Sequence, residues 1–195
     1  MSKTVEIFFD FSSPPSYLAC TQMPAILERT GASVIWRPMF TIGLHDLTGN
    51  TSPVMIPNKG KWVMHDLGRY AQKYGVDVKP NMTAALNILP VMRCAAIAER
   101  EGDLDKLMTH MYPAIFQDAI DLSQPETLPA ALAKAGLDAD RYMELIKTPK
   151  IKDLLKANTQ EAADRGAFGA PTFFIGDIMH FGQDRLHFVE EDLAS

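Results

Sequence analysis

Apolar and polar residues alternate at the start of the chain, where Val5, Ile7 and Phe9 fall on one side of a period-two pattern. That spacing predicts a buried strand over 4–10. The period then changes. Leu18, Met23, Ile26 and Leu27 give a partial helical stripe and predict a helix over about 15–30. Thr30-Gly31 closes it, since glycine suits a left-handed cap. Val34-Ile35-Trp36 predicts a second strand over 33–38. A strand, helix, strand crossover of this kind favours a parallel pair. Residues 39–58 have no clear period, contain Gly43, Gly49, Pro53 and Pro57, and read as a loop. A loop of that length in a compact domain is usually functional or disordered. Trp62, Val63, Leu67, Tyr70 and Ala71 then share a face and predict a helix over 59–74, stopped by Gly75.

From 84 to 165 the pattern is helical almost throughout. The segments are 86–101, 104–117 (interrupted by Pro113), 125–135, 137–147 and 149–165, with Gly102, Gly136 and Gly166 as stops. The tail returns to strand. Residues 171–176 and 177–181 are joined by the tight Gly176-Asp177 and predict an antiparallel hairpin. A last helix is expected over 185–193, with Asp184 at its start as a natural N-cap.

Without the central helices, this order resembles the thioredoxin type. The expected fold class is α/β: a thioredoxin-like four-stranded mixed sheet with an inserted all-helical domain. Residues 1–40 and 160–195 are assigned to a discontinuous thioredoxin-like domain, and 41–159 to the loop plus the inserted helical domain. That fold carries a cis-proline ahead of its last hairpin. Gly169-Ala170-Pro171-Thr172 stands in that place, so a cis bond is expected at Ala170–Pro171.

The totals narrow the function classes. A chain of 195 residues with 47% hydrophobic content can bury a full core. Its net charge of −5, with no basic stripe, argues against a nucleic-acid partner. No apolar run approaches a membrane span, and no charged segment followed by an apolar one opens the chain, so a cytoplasmic protein is expected. Cys20 and Cys94 form no C-x-x-C and no disulfide framework. The five histidines lack metal-ligand spacing, so no metal is expected. Of the methionines, Met39, Met82 and Met92 are candidates to line an adaptable apolar pocket.

The candidate chemistry lies between the first strand and the first helix. Phe11-Ser12-Ser13-Pro14-Pro15-Ser16-Tyr17 puts three hydroxyls where a helix begins. A helix start has unpaired N–H groups and the positive end of the dipole, and stabilises an anion. Ser12, Ser13 and Ser16 are the candidates, and each can equally serve as a cap.

Several stretches resemble one family. Asp10-Phe11-Ser12-Ser13-Pro14-Pro15-Ser16-Tyr17 is similar to the D-x-x-S-P-x-S-[YW] opening of the kappa-class glutathione transferases and the 2-hydroxychromene-2-carboxylate isomerases. So, in order, are Gly49-Asn50 with Pro57-Asn58-Lys59-Gly60, Thr148-Pro149-Lys150-Ile151-Lys152, Gly166-Ala167-Phe168-Gly169-Ala170-Pro171-Thr172 and Phe181-Gly182-Gln183-Asp184-Arg185. The resemblance implies glutathione as cofactor, a small aromatic second substrate, a homodimer, and a place in aromatic-compound degradation. It implies that Ser13 stabilises the glutathione thiolate. It further implies that Asn50 and Lys59 meet one glutathione carboxylate, that Ala170 beside Pro171 pairs through its backbone, and that Gln183 and Asp184 receive the γ-glutamyl end. Without the resemblance, Asn50 reads as a turn residue and Lys59 as a solvated lysine.

Two departures concern the second substrate. Pro15 stands where the family usually has an aromatic ring. Ala84-Ala85 stand where the isomerases have paired arginines for the substrate carboxylate, leaving Arg37 and Arg93 as candidate replacements. The activity implied is isomerisation of 2-hydroxychromene-2-carboxylate to the open-chain trans-o-hydroxybenzylidenepyruvate. The alternatives are a kappa-type transferase and a non-catalytic glutathione binder. The missing C-x-x-C argues against a disulfide-forming enzyme, and with serine where such enzymes carry their attacking cysteine, no mixed disulfide is expected at this site.

Overall fold

Strand β1 (Thr4–Phe9) is an inner strand of the sheet, and four of its six side chains are buried. The structure, a computed structural model, describes residues 3–195 and, within them, all side chains but that of Met82. The sheet order is β2 (Ser33–Pro38), β1, β3 (Thr172–Ile175), β4 (Ile178–Phe181). β1 and β2 are parallel, Thr4 opposite Ser33 through Phe9 opposite Pro38, as the helical crossover α1 (Pro14–Thr30) requires. β3 is antiparallel to β1, with Ile7 opposite Phe173, and antiparallel to β4, with Thr172 opposite Phe181.

Alternation along β1 sends its residues to different cores. Val5 and Ile7 pack with Ala19, Met23 and Ile26 of α1 and with Leu186 and Val189 of the last helix, α9 (Leu186–Ala194). Phe8 faces the opposite layer, with Met39, Leu44, Ala162 and Phe174. Phe9 and the following Phe11 enter a third cluster, built mainly by the central helices α4 (Met82–Glu101) and α5 (Leu104–Phe116). The sheet and the central helices thus share buried residues at the C-terminal end of β1, where the candidate hydroxyls lie. The remaining elements are α2 (Thr41–Thr48), α3 (Pro57–Tyr74), α6 (Thr127–Lys134), α7 (Ala139–Leu145) and α8 (Pro149–Asp164). α8 runs through residue 159, placing Ile151 and Leu155 in the helical cluster and Ala162 in the sheet's.

Four expectations change. The stretch 39–58 is not a loop throughout: it contains α2 and a 3-10 turn, Pro53–Met55. Leu44 alone is buried in α2, so the helix carries no apolar stripe to announce it. α4 begins at Met82, four residues before the expected start, because Asn81 caps it by accepting from Ala84 N at 3.0 Å. Asp184 is not an N-cap. Gly182, with φ 94°, precedes a 3-10 turn over Gln183–Arg185, and neither that turn nor α9 has a side-chain cap bond. Met39 and Met92 are fully buried core side chains rather than pocket lining, and the Met82 side chain lies outside the described residues. Among the described residues no helix is long and apolar enough to cross a membrane.

Candidate functional site at the end of the first strand

β1 stops at Phe9, and a short turn leads into α1. Ser13 occupies the N-cap position with φ −94° and ψ 107°. Its N–H donates to Asp10 O at 3.1 Å, and its carbonyl accepts from Tyr17 N at 3.1 Å. Its hydroxyl accepts from Ser16 N at 3.2 Å and donates to Ala170 O at 3.0 Å. The capping role is therefore real, and one hydroxyl joins the start of α1 to the segment before β3.

The three hydroxyls are not equivalent. Ser12 Oγ donates to Asp10 Oδ1 at 2.8 Å. Ser16 is fully buried, and its Oγ has no hydrogen-bond partner. Ser13 is partly exposed and faces Ala170. The helix start also differs from the simple anion cradle. Pro14 and Pro15 carry no N–H, and Ser16 N is already taken by Ser13 Oγ. Few backbone donors remain there for an anion, which leaves the Ser13 hydroxyl and the helix dipole.

The Ala170–Pro171 bond is cis. Gly182 N donates to Pro171 O at 3.0 Å, which brings the 182–184 stretch beside it. Asn50 Nδ2 donates to Phe168 O at 2.7 Å, two residues before Ala170. Ser13, Asn50 and Gly182 thus each bond to the 168–171 segment, and Gln183 and Asp184 follow Gly182 in the chain. Gln183 is largely buried, and its carbonyl accepts from Tyr74 Oη at 2.7 Å. Asp184 is partly exposed and pairs with Arg185 at 2.6 Å. Lys59 is exposed in the first turn of α3, where it lines a cleft of about 410 Å³ with Pro53, Asn58, Trp62 and Val63. It makes no ion pair with the described residues.

Arg37 is committed elsewhere. It pairs with Glu161, sits 3.6 Å from Glu99 and donates to Asn158 Oδ1 at 3.4 Å, all on the α8 side of β2. Arg93 is partly buried on α4, without an ion pair among the described residues.

Asp10 is the residue missed among the sequence candidates. Its carboxyl is fully buried, Oδ1 accepts from Ser12 N at 2.7 Å, and Oδ2 accepts from Thr41 N at 2.8 Å. Burial pushes this carboxyl above the ordinary carboxylate range, while the bonds from Thr41 and Ser12 act in the opposite direction. An aspartate bonded to the N–H two residues on is an Asx-turn, so Asp10-Phe11-Ser12 did carry a local signal.

Residues 4–194 match the DSBA-like thioredoxin domain. The 2-hydroxychromene-2-carboxylate isomerase of Sphingobium xenophagum is 36% identical over 198 residues, covering 99% of each chain. Glutathione S-transferase kappa 1 of Homo sapiens is 28% identical, covering 95% of this chain and 88% of its own. A solved structure of a 2-hydroxychromene-2-carboxylate isomerase superposes with a TM-score of 0.87 at 25% identity, covering 97% of this chain and 94% of that one. With the fold and the serine-bearing helix start, these matches place the chain in the DsbA-like thioredoxin family, in the group of the 2-hydroxychromene-2-carboxylate isomerases and kappa-class glutathione transferases.

Proposed function

We propose that this protein is a glutathione-dependent isomerase that converts 2-hydroxychromene-2-carboxylate to its open-chain trans isomer, acting as a homodimer. The observation that carries the reading is the Ser13 hydroxyl. It stands at a helix start, 3.0 Å from Ala170 O, where disulfide enzymes of this fold present cysteine. The donor set fits a tripeptide with a thiol in the middle and a charged group at each end. Ser13 meets the sulfur, and the Ala170 backbone meets the peptide. Asn50 and Lys59 meet one carboxylate, and Gln183 and Asp184 meet the γ-glutamyl end. Asp184 is the anion for the ammonium, and its pairing with Arg185 keeps the local charge balanced.

Bound glutathione would supply a nucleophilic thiolate for reversible addition to the conjugated system, held by Ser13 at the sulfur and regenerated at the end of the cycle. The protein's part is to keep that sulfur ionised. A free thiol of the cysteine kind has a pKa of about 8.5. Lowering it by one unit takes about 1.4 kcal/mol. The single Ser13 proton now lies on a neutral carbonyl. Turning it to a sulfur anion exchanges a bond worth about 0.5–1.5 kcal/mol for one worth about 1.5–3. The dipole of α1 adds roughly 0.3–1 kcal/mol. Ala170 O is then free to accept an N–H of the extended peptide.

One observation favours a second reading, a kappa-type transferase acting on neutral electrophiles. Ala84 and Ala85 carry no charge, and Arg37 is held by Glu161 and Glu99, so a substrate carboxylate has few cations to meet. The test follows the absorbance of 2-hydroxychromene-2-carboxylate with the protein, with and without glutathione, alongside Ser13→Ala. Glutathione-dependent turnover that the variant loses is the expected result. Conjugation of chlorodinitrobenzene without isomerisation selects the transferase, and glutathione binding with neither reaction selects a binder.

A further inference from the structure

α2 has no cap of its own. Phe40 stands at its N-cap position and offers no side-chain acceptor. The missing acceptor comes from Asp10, whose Oδ2 accepts from Thr41 N at 2.8 Å across 31 residues of sequence. The same carboxylate accepts from Ser12 N and Ser12 Oγ through Oδ1, at 2.7 and 2.8 Å. The Asp10 carbonyl accepts from Ser13 N. One fully buried residue therefore bonds both to the turn that carries Ser13 and to the first N–H of α2. A carboxylate buried in this way is costly unless donors surround it, so its bonds resist displacement.

The other end of α2 leads to the far end of the site. The helix runs eight residues to Thr48, Gly49 turns the chain at φ 67°, and Asn50 follows. Eight helical residues form a rod about 12 Å long. Its start is further held by Phe40 N on Thr159 Oγ1 at 3.0 Å. Asn50 reaches Phe168 O from the end of this rod, while Ser13 reaches Ala170 O from the turn.

We propose that Asp10 is a positioning residue that keeps the Ser13 hydroxyl and, through α2, the Asn50 amide at the separation a bound glutathione requires. The inference rests on the glutathione reading given above. Asp10 is fully buried and would act only through its bonds to Ser12, Ser13 and Thr41. Its role is to make two contacts from distant segments act as one site.

The test is a double-mutant cycle of Asp10→Asn with Asn50→Ala, read as glutathione Kd by titration calorimetry. Asp10→Asn conserves size but sets an amide N–H against the N–H of Thr41 or Ser12. Coupling between residues that share a structural element breaks additivity. The expected results are a Kd raised about 10-fold by Asp10→Asn, and an Asn50→Ala effect that falls from about 5-fold to below about 2-fold in the Asp10→Asn background. The pKa of the bound thiol, followed by thiolate absorbance, should also rise, which a loss of fold stability alone would not produce. Far-UV circular dichroism establishes that the variants are folded. A folded Asp10→Asn that binds glutathione as the wild type does, or effects that simply multiply, overturns the proposal. Should Asp10→Asn not fold, Ser12→Ala removes one bond to the same carboxylate. It should raise Kd about 2–3-fold with the same non-additivity towards Asn50→Ala, and an unchanged Kd overturns the proposal. A wild-type protein that binds no glutathione overturns the functional reading and this inference together. Binding without coupling overturns the inference alone.

Discussion

The Ser13 side chain is bonded on both sides, whereas the Asn50 side chain has one bond and the Lys59 side chain has no ion pair among the described residues, although both stand at the end or start of a helix. The Ser13 turn uses its N–H, its carbonyl and both capacities of its hydroxyl, and Asp10 beneath it is fully buried. Asn50 and Lys59 are exposed, the first with a single bond to Phe168 O and the second without an ion partner among the described residues. The difference suits the two tasks proposed above for these residues. Shifting a thiol pKa needs a donor held in place, because reorganisation subtracts from the electrostatic gain. Meeting a carboxylate needs a donor at the right distance and does not require the donor's own side chain to be bonded on every side. Changes at the rigid end should therefore alter rate and pH profile, and changes at the open end should alter affinity alone.

The largest effect is expected from Ser13→Ala. With Pro14 and Pro15 lacking N–H groups, the Ser16 N–H that the variant frees is the main first-turn donor left, a neutral group standing for a lost hydroxyl, so kcat/KM should fall by about 10²–10³-fold. The rising limb of its pH profile should move up by about one to two units, since each unit is about 1.4 kcal/mol. Loss of the cap should also lower stability by about 1 kcal/mol in denaturant titrations. A fall in rate with an unmoved pH profile would break the comparison at its strongest point. Next comes Pro15→Ala in the Ser13→Ala background. It restores one N–H to the first turn and should recover about 3–10-fold of the lost kcat/KM, the scale of one added dipolar donor. No recovery would mean that the prolines are not what limits the donors.

Gly182→Ala probes the junction between the two ends. An added Cβ would lie 2.6 Å from Asp184 Oδ1, at a φ of 94° that side chains rarely adopt. The expected outcome is a glutathione KM raised about 10-fold and about 1–3 kcal/mol lost in stability. Asn50→Ala should raise KM about 3–5-fold and leave the pH profile and the melting temperature unchanged, as exposed substitutions do. Lys59→Ala should have the smallest effect, below about 3-fold in KM and vanishing at high salt, where exposed charges are screened. A change in kcat from either exposed variant would show that the open end also sets the rate.

Much of the fold was legible because its signals are local. The β1 alternation, the Gly31 and Gly75 stops and the Gly176-Asp177 turn each lie within a few residues of the structure they specify. The start of α4 was legible in part: Asn81 could have been read as its cap, but Asn87 leaves helical geometry and Pro90 follows, and both obscure the period. α2 was not legible, since only Leu44 of its side chains is buried and its cap is Asp10 on another element. Asp184 looked like a cap by type, yet Gly182 and the 3-10 turn place it beside Arg185 instead.

By itself the sequence determined most of the elements, though not α2, their order around an inserted helical stretch, and the serine standing before Pro14. These rest on periodicity, on the conformations open to glycine and proline, and on residue type, all of which act over short spans of chain. Only the tertiary structure decided which hydroxyl faces the 168–171 segment. It buried Ser16 and left Ser13 on Ala170 O, while Ser12 is tied to Asp10 by a local turn. It also took Arg37 out of the site and drew Asp10, Thr41 and Asn50 into it. The physical reason is that hydrogen bonds and ion pairs across 30 to 160 positions depend on how the layers pack, and no local pattern records that.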